Sequence, residues 1–463
     1  MDMTQGTILP KLVRFSFPFM LANLFNTVYN LADMAVIGQF CSSSALSAAS
    51  ITGTATTMLY IMGIAFGTGG QILVSQYAGA GKKEVFQSLI SSMVLLCGGI
   101  AIAVAVAGAV LSRSIVNILN TPAEAVEEAV TYLRICCFGV IPAYIYNTFA
   151  HALRGMGDSR TPFIIVLITS VMNIILDVIF IAVFHMGVAG AAVATAVSQL
   201  CSCIFCVVYL YPRRESFGFN FRIEDLRMDT ALSGEIIRLS IPLAISNIAI
   251  SFSMLYVSSY INVYGVAASI VNGVGAKLHG VMSIVTFAMQ AAVATFVGQN
   301  IGAQKPDRAA SSVYWALLIE IAFWALISVV ILLFPRTVFR LFSDDPDVLD
   351  LAAPYFRIAI WMYLASCLMS PFLGMITGVG RTRYNLLVSL LDGVAARVGL
   401  SILFGTVMDL GLRGYWIGSS AAGYVSVIMG AAFFLFGNWK KSSLVSNNSM
   451  DNQQPVSENR RNG

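Results

Sequence analysis

The chain has 463 residues, 57% hydrophobic and only 11% charged, with a net charge of +4 and a mean hydropathy of +0.80. A soluble globular chain carries about 25% charged residues. Half that, spread over many apolar runs of about 20 residues or more, excludes a soluble fold and indicates repeated membrane crossing. No alternating pattern of about ten residues recurs, so a membrane β-barrel is excluded, and the small positive charge suggests no nucleic-acid partner.

The short polar start, MDMTQGTILPKL, leads into an apolar segment far too long for an h-region, which predicts no cleavable signal peptide. Glycine, proline and charge clusters then divide the chain into twelve helical spans: 12–38, 45–77, 85–111, 123–153, 162–184, 187–211, 233–263, 266–300, 308–334, 347–376, 384–407 and 411–438. Several exceed the roughly 20 residues a bilayer needs, so they tilt or protrude. Residues 212–232, containing FGFNFRIEDLRM, read as a linker lying at the membrane interface. Residues 439–463, rich in Ser, Asn and Gln, read as a disordered tail. The eight cysteines sit in apolar runs, apart from Cys41 in a loop, and read as small core residues.

Nineteen of the 27 Lys and Arg residues, among them Lys82, Lys83, Arg154, Arg238, Lys305 and Arg381, fall on one face. Only Arg113, Arg336, Arg340 and Arg413 fall on the other, which predicts both termini in the cytoplasm of a cell or inner-membrane protein.

The chain repeats itself at a shift of 223 to 224 residues. RFSFPFMLAN from Arg14 matches RLSIPLAISN from Arg238, and VSQYAGAGKK from Val74 matches VGQNIGAQKP from Val297. Gly155 and Gly157 match Gly378 and Gly380; Gly187 and Gly190 match Gly411 and Gly414. An even number of spans per copy gives both copies one orientation. The expected fold is therefore an all-α polytopic membrane protein of twelve transmembrane helices. They form two repeated six-helix bundles, residues 8–211 and 233–438, about a pseudo-twofold axis along the membrane normal.

From Phe15 to Gly81 the chain carries one charge, Asp33. An ionised carboxylate in hydrocarbon costs about 3 kcal/mol even on a lenient scale, so such a residue marks a working site. The other acids within spans are Asp177, Glu320 and Asp392. Asn173 and Asp177, four apart in span 5, share a helical face. At about 1.5 Å per residue, Asp33, Asp177 and Thr195 lie roughly 8–12 Å below the outer surface in one six-helix copy. Two carboxylates, an amide and a hydroxyl at one depth suit Na⁺ or a proton. Local hydrogen bonding that merely locks helices together is the alternative reading of each carboxylate.

The second copy does not repeat this set. Asp33 corresponds to Tyr256 or Val257, and Asp177 to Leu400 or Ser401, depending on the shift. Lys277, Asp392 and Arg397 instead form a second polar set, with Lys277 or Arg397 neutralising Asp392, either as a functional surface or as an ion pair that anchors the bundle. Glu320, between Trp315 and Trp324, has no evident partner. Glu127 with Arg134, and Asp350 with Arg357, are expected to act as interfacial supports two turns apart. Pro18, near Asn23 and Asn26, gives span 1 a place to bend. GMGD at Gly155 reads as a tight turn, and the three scattered histidines show no metal spacing, so no enzyme constellation is present.

PFMLANLFNTVYNLADMAVIG, VSQYAGAG, RGMGDSRTP and NIILD, in this order and within a duplicated unit, resemble the multidrug and toxic compound extrusion (MATE) transporters, in particular the bacterial branch with the DinF-like members. The resemblance covers all twelve spans. It implies a V-shaped pair of bundles around a central cavity. It also implies a secondary antiporter that exports amphipathic, often cationic, compounds against Na⁺ or H⁺, with no cofactor, and a monomer is expected. In the DinF-like pattern the first-lobe cation site uses an Asp in span 1, an Asn and an Asp four apart in span 5, and a Thr in span 6. Asp33, Asn173, Asp177 and Thr195 stand at those positions. Another branch places acids in spans 7 and 10, where this sequence has none in the corresponding apolar stretches. A flippase for lipids or lipid-linked saccharides, which related folds include, is the alternative. It calls for a strongly cationic cavity, and the few basic residues within the spans (Arg134, Lys277, Arg357, Arg397) argue against it.

Overall fold

The computed structural model describes residues 1–441 and 444–445, and these contain helices, turns and no strand. Twelve helices are long and apolar enough to cross a membrane. In the first lobe they are α1 (Ile8–Phe40), α2 (Ser43–Gly79), α3 (Lys83–Ile118), α4 (Ala123–Gly155), α5 (Arg160–Val183) and α6 (Gly187–Phe217). In the second they are α7 (Thr230–Asn262), α8 (Val266–Gly302), α9 (Pro306–Leu333), α10 (Pro346–Gly378), α11 (Thr382–Val407) and α12 (Gly411–Phe436). Local chemistry sets several starts: Ser42 Oγ accepts from the Ala45 amide at 3.2 Å, and Asp229 accepts from Ala231 and Leu232 at 2.9 and 3.0 Å. Each bond satisfies an amide that a helix start leaves without a partner. α1 continues unbroken through Pro18 and α7 through the repeat-related Pro242.

Each lobe lends its first helix to the other. Leu12 and Phe15 of α1 are buried in the core formed by α8, α9 and α10. Their repeat counterparts, Ile236 and Leu239 of α7, are buried in the core formed by α2, α3 and α4. The linker folds back on the first lobe: Phe217 and Phe219 are buried, and Phe149 stacks on Phe221 at 5.5 Å. The segment expected to begin a disordered tail at residue 439 is packed at its start. Trp439 is buried in the second lobe's core, and Val445 in the first's. Apolar side chains in an otherwise polar sequence drive both contacts. The rest of that tail, residues 442–443 and 446–463, lies outside the described residues.

The acids expected to act as interfacial supports on α4 and α10 pair with arginines of the preceding helices. Glu127 pairs with Arg113 of α3, and Asp350 pairs with Arg336 at 2.5 Å, the same pair one repeat later. Arg134 donates to Ser112 Oγ at 3.1 Å. Seven residues along a helix span about 10 Å, too far for contact, whereas a tight hairpin brings neighbouring ends together.

The lobes meet at the Lys- and Arg-rich end through a reciprocal seam. Gln76 Nε2 donates to the Gly378 carbonyl at 3.0 Å, and Gln299 Nε2 donates to the Gly155 carbonyl at 2.9 Å. Gln76 and Gln299 are repeat counterparts, as are Gly155 and Gly378, so one bond is the other rotated about the pseudo-twofold axis. The remaining amide oxygens are taken by the two ends of the chain: Gln299 Oε1 accepts from the Met3 amide at 2.9 Å, and Gln76 Oε1 accepts from the Leu444 amide at 3.0 Å. One turn deeper, His151 bonds Gln71 at 2.8 Å, and Gln71 Nε2 donates across the seam to Thr295 Oγ1 at 3.0 Å.

This approach requires glycine. A Cβ at Gly79 would lie 1.8 Å from the Gln299 carbonyl oxygen, and one at Gly302 would lie 2.0 Å from that of Gln76. Over-packing of this kind costs about 1–3 kcal/mol per site. Gly79→Ala/Gly302→Ala is therefore expected to part the helices at this end. Pulsed electron–electron resonance between labels at Lys83→Cys and Gln304→Cys should read a longer, broader distance than in the parent; an unchanged distance would mean that the glycine contact does not set the seam.

Candidate functional site

The fifth helices of the two lobes differ by one π turn. Residues Val178–Val183 of α5 form a π turn directly after Asp177, and Leu403–Val407 of α11 repeat it. α11 has a further π turn, Leu390–Ala396, with no counterpart in α5, whose residues Arg160–Asp177 are regular α-helix. A π turn holds one more residue than an α turn. This insertion is where the repeat shift changes from 223, as in Gly157 and Gly380, to 224, as in Gly187 and Gly411. Beyond it, Asn173 corresponds to Arg397, Asp177 to Ser401 and Thr195 to Ser419. At the start of each lobe the shift is also 224, as in Pro18 and Pro242, so Asp33 corresponds to Val257.

In the first lobe α1 packs against α5, and α5 against α6. Ser202 Oγ donates to Thr169 Oγ1 at 3.0 Å, which sets the antiparallel register of α5 and α6. One turn towards the outer end, that register puts Asn173 level with Ser198, and one turn further Asp177 level with Thr195. Asp33, Asn173 and Asp177 are 8%, 2% and 0% exposed, so all three are shut off from bulk water, while Thr195 is half-buried. Asp33 and Asp177 lie within electrostatic reach of each other, and the Tyr29 ring, one turn below Asp33, lies within reach of both.

None of the amide and carboxyl atoms that matter is spoken for. Asp33 Oδ1, both oxygens of Asp177, both amide atoms of Asn173 and the Ser198 hydroxyl are buried without a hydrogen-bond partner. Buried polar atoms are almost always paired, because leaving one unpaired costs about 1–3 kcal/mol and more for a charged group. A cluster of orphaned oxygens fits a group that brings its own positive charge, a proton or a small hard cation. Among the described residues no three His, Cys, Asp or Glu side chains gather as a metal cluster, so the donor set is two carboxylates with neutral oxygens. Ser198 is an addition that only the helix register reveals.

In the second lobe both oxygens of Asp392 are engaged from within the chain, although Arg397 Nε is buried without a partner. Arg397 Nη2 donates to Asp392 Oδ1 at 3.2 Å, and Ser426 Oγ donates to Asp392 Oδ2 at 2.7 Å. Arg397 Nη1 reaches the Ser419 hydroxyl at 3.3 Å and its carbonyl at 3.4 Å. Arg397, and not Lys277, is the partner of Asp392; Lys277 lies exposed on α8. Glu320 has a partner for one of its two oxygens, Oε2 being buried without one. It is fully buried, and Ser370 of α10 donates to its Oε1 at 3.3 Å. The pairing runs between helices fifty residues apart, beyond the reach of local spacing. His279 bonds Ser366 at 3.1 Å with its ring stacked on Tyr363.

Two six-helix repeats that share a seam at one end, with an unpaired carboxylate set inside one of them, define a duplicated helical membrane protein of the kind that moves solutes. The MatE family description matches residues 18–179 and again residues 242–403, one match in each lobe. The chain belongs to the MatE family. It is similar to the probable multidrug resistance protein YpnP of Bacillus subtilis, 29% identical over 447 residues and spanning 96% of this chain and 98% of that one. It is also similar to the probable multidrug resistance protein NorM of Thermotoga maritima, 26% identical over 443 residues and 94% of each chain. A crystal structure of MATE in the bent conformation superimposes with a TM-score of 0.88 at 22% identity, over 96% of this chain and 98% of that one.

If the orphaned carboxylates are the weak point of the fold, neutralising them should strengthen it. At pH 8 without sodium, Asp33→Asn/Asp177→Asn is expected to melt several degrees above the parent, because each buried charge costs about 3 kcal/mol. Differential scanning fluorimetry of purified protein reads this directly, and a lower midpoint would mean that the carboxylates hold the helices together.

Proposed function

We propose that this protein exports amphipathic, often cationic, small molecules by alternating access, driven by entry of Na⁺ or H⁺ at Asp33, Asn173, Asp177 and Thr195. The observation that carries the reading is the buried, unpartnered oxygen set of the first lobe. The MatE family membership and the multidrug resistance proteins among the relatives support the substrate class. The Lys- and Arg-rich face is assigned to the cytoplasm by the positive-inside rule. On that assignment the end at which the lobes meet is the cytoplasmic one.

A cation entering from outside neutralises the carboxylates and draws α1 towards α5 and α6. α1 is also the helix whose other half, at Leu12 and Phe15, is buried in the second lobe. A shift at Asp33 is thereby carried along one helix to the seam. Pro18, which leaves the carbonyl four residues earlier without its helical donor, is where that helix yields. Substrate leaves outwards as the first-lobe side of the cleft narrows. The lobes then part at the Gln76 and Gln299 seam and discharge the cation inwards. Each half of the cycle needs a ligand with different affinity for the two states, which the carboxylates supply for the cation.

In proteoliposomes with an imposed Na⁺ or pH gradient, Asp33→Asn should lower coupled export of an amphipathic cation such as ethidium to background while inserting normally. Running the two gradients separately identifies the coupling ion. Wild-type export by Asp33→Asn under both gradients would refute the site.

A further inference from the structure

The second lobe carries a copy of the cation site whose occupant is part of the chain. We propose that the Arg397 guanidinium is a tethered cation, standing where an exchangeable one would stand in the first lobe, so that the second lobe's copy of the site is permanently filled. The proposal rests on the reading of the first lobe as the exchangeable site, and it assigns the second lobe a different part in the same cycle.

Three observations carry it. The π turn at Leu390–Ala396 shifts the register by one residue and brings Arg397 to the place of Asn173. Arg397 then bonds Ser419, which stands at the place of Thr195, through both the hydroxyl and the carbonyl, at 3.3 and 3.4 Å. Finally, Asp392 stands at the place of Thr169, and its 2.7 Å bond from Ser426 repeats the Ser202 to Thr169 bond of the first lobe. The inter-helix link is the same in both lobes. The second lobe has exchanged its neutral member for a carboxylate that faces a guanidinium.

The chemistry of the pair suits a fixed occupant. A guanidinium keeps its charge at any pH a cell meets, and it cannot diffuse away. Its planar array of N–H donors engages Asp392 and Ser419 together. Both Asp392 oxygens are engaged, whereas both Asp177 oxygens are orphaned. Asp33 has become Val257, which is buried among apolar side chains. No acid is left in that copy of the site for a second ion to neutralise. With that copy of the site filled, the cation that enters and leaves each cycle at this position is confined to the first lobe.

The test counts cations on purified protein in detergent. ²²Na⁺ binding gives the sodium count at fixed pH, and uptake from a weakly buffered indicator solution gives the proton count. Arg397→Asn installs the first lobe's amide and leaves Asp392, Ser419 and Ser426 in place. This variant should take up one monovalent cation more than the wild type. The neutral pair Asp392→Asn/Arg397→Gln should bind the wild-type number. The proposal is overturned by a monodisperse Arg397→Asn protein with the wild-type count, or by a neutral pair that binds fewer cations than the wild type. Should Arg397→Asn fail to fold, the neutral pair decides alone. The first-lobe reading fails on a separate variant, if Asp33→Asn/Asp177→Asn keeps the wild-type count.

Discussion

A carboxylate carried into hydrocarbon must find a positive partner, be protonated or bear a cost of about 3 kcal/mol. The two lobes meet that demand in different ways on one helical frame. In the second, Asp392 is held by Arg397 and Ser426, and the charge is closed within the chain. In the first, Asp33 and Asp177 are as deeply buried, yet the nearest residues that could answer them offer hydroxyls and an amide and no cation. On the proposed reading, what neutralises them comes from outside the chain. Dependence on an imported charge is what couples such a site to an ion gradient. A chain that buried only the Asp392 kind of pair would have nothing to exchange.

Duplication makes this asymmetry usable. Because the seam bonds are reciprocal, Gln76 to Gly378 and Gln299 to Gly155, the lobes meet along an axis that treats them equally. The exchange of first helices does the same: α1 is rooted in the second lobe's core and α7 in the first's. The mechanical parts are therefore symmetric while the chemistry is one-sided. On the proposed reading a cation at Asp33 would act on a helix whose other end already belongs to the opposite lobe. The seam depends on a few amide bonds and on glycine contacts between backbones. Such contacts close at one separation and, in the proposed cycle, would be lost together.

Much of this was legible in the sequence. Apolar runs and turn residues gave the twelve helices, with ends that differ by a few residues because helices of 33 to 37 residues extend past the bilayer. The repeat was readable from Arg14 and Arg238 onwards. What was not legible depended on contacts between distant segments. The choice between Leu400 and Ser401 as the counterpart of Asp177 turned on a single π turn, which leaves no signature in residue type. The partner of Glu320 lies fifty residues away on another helix. The pairing of Glu127 with Arg113 was not legible either, because it forms across a hairpin and not along one helix. The docking of Met3 and Leu444 rests on backbone amides, which every residue possesses.

On the proposed reading Asp33 and Asp177 of the first lobe take an exchangeable cation and Asp392 of the second does not. A hydrophobic carbodiimide modifies membrane-buried carboxyl groups in their protonated form, and mass spectrometry of the digested protein can assign the modified residues one by one. On purified protein at mildly acidic pH, Asp33 or Asp177 should be labelled, with protection by an amphipathic cationic substrate or by sodium, while Asp392, held by Arg397, stays unlabelled. Labelling of Asp392 to the same extent, or failure of Asp33 and Asp177 to react at all, would contradict the account.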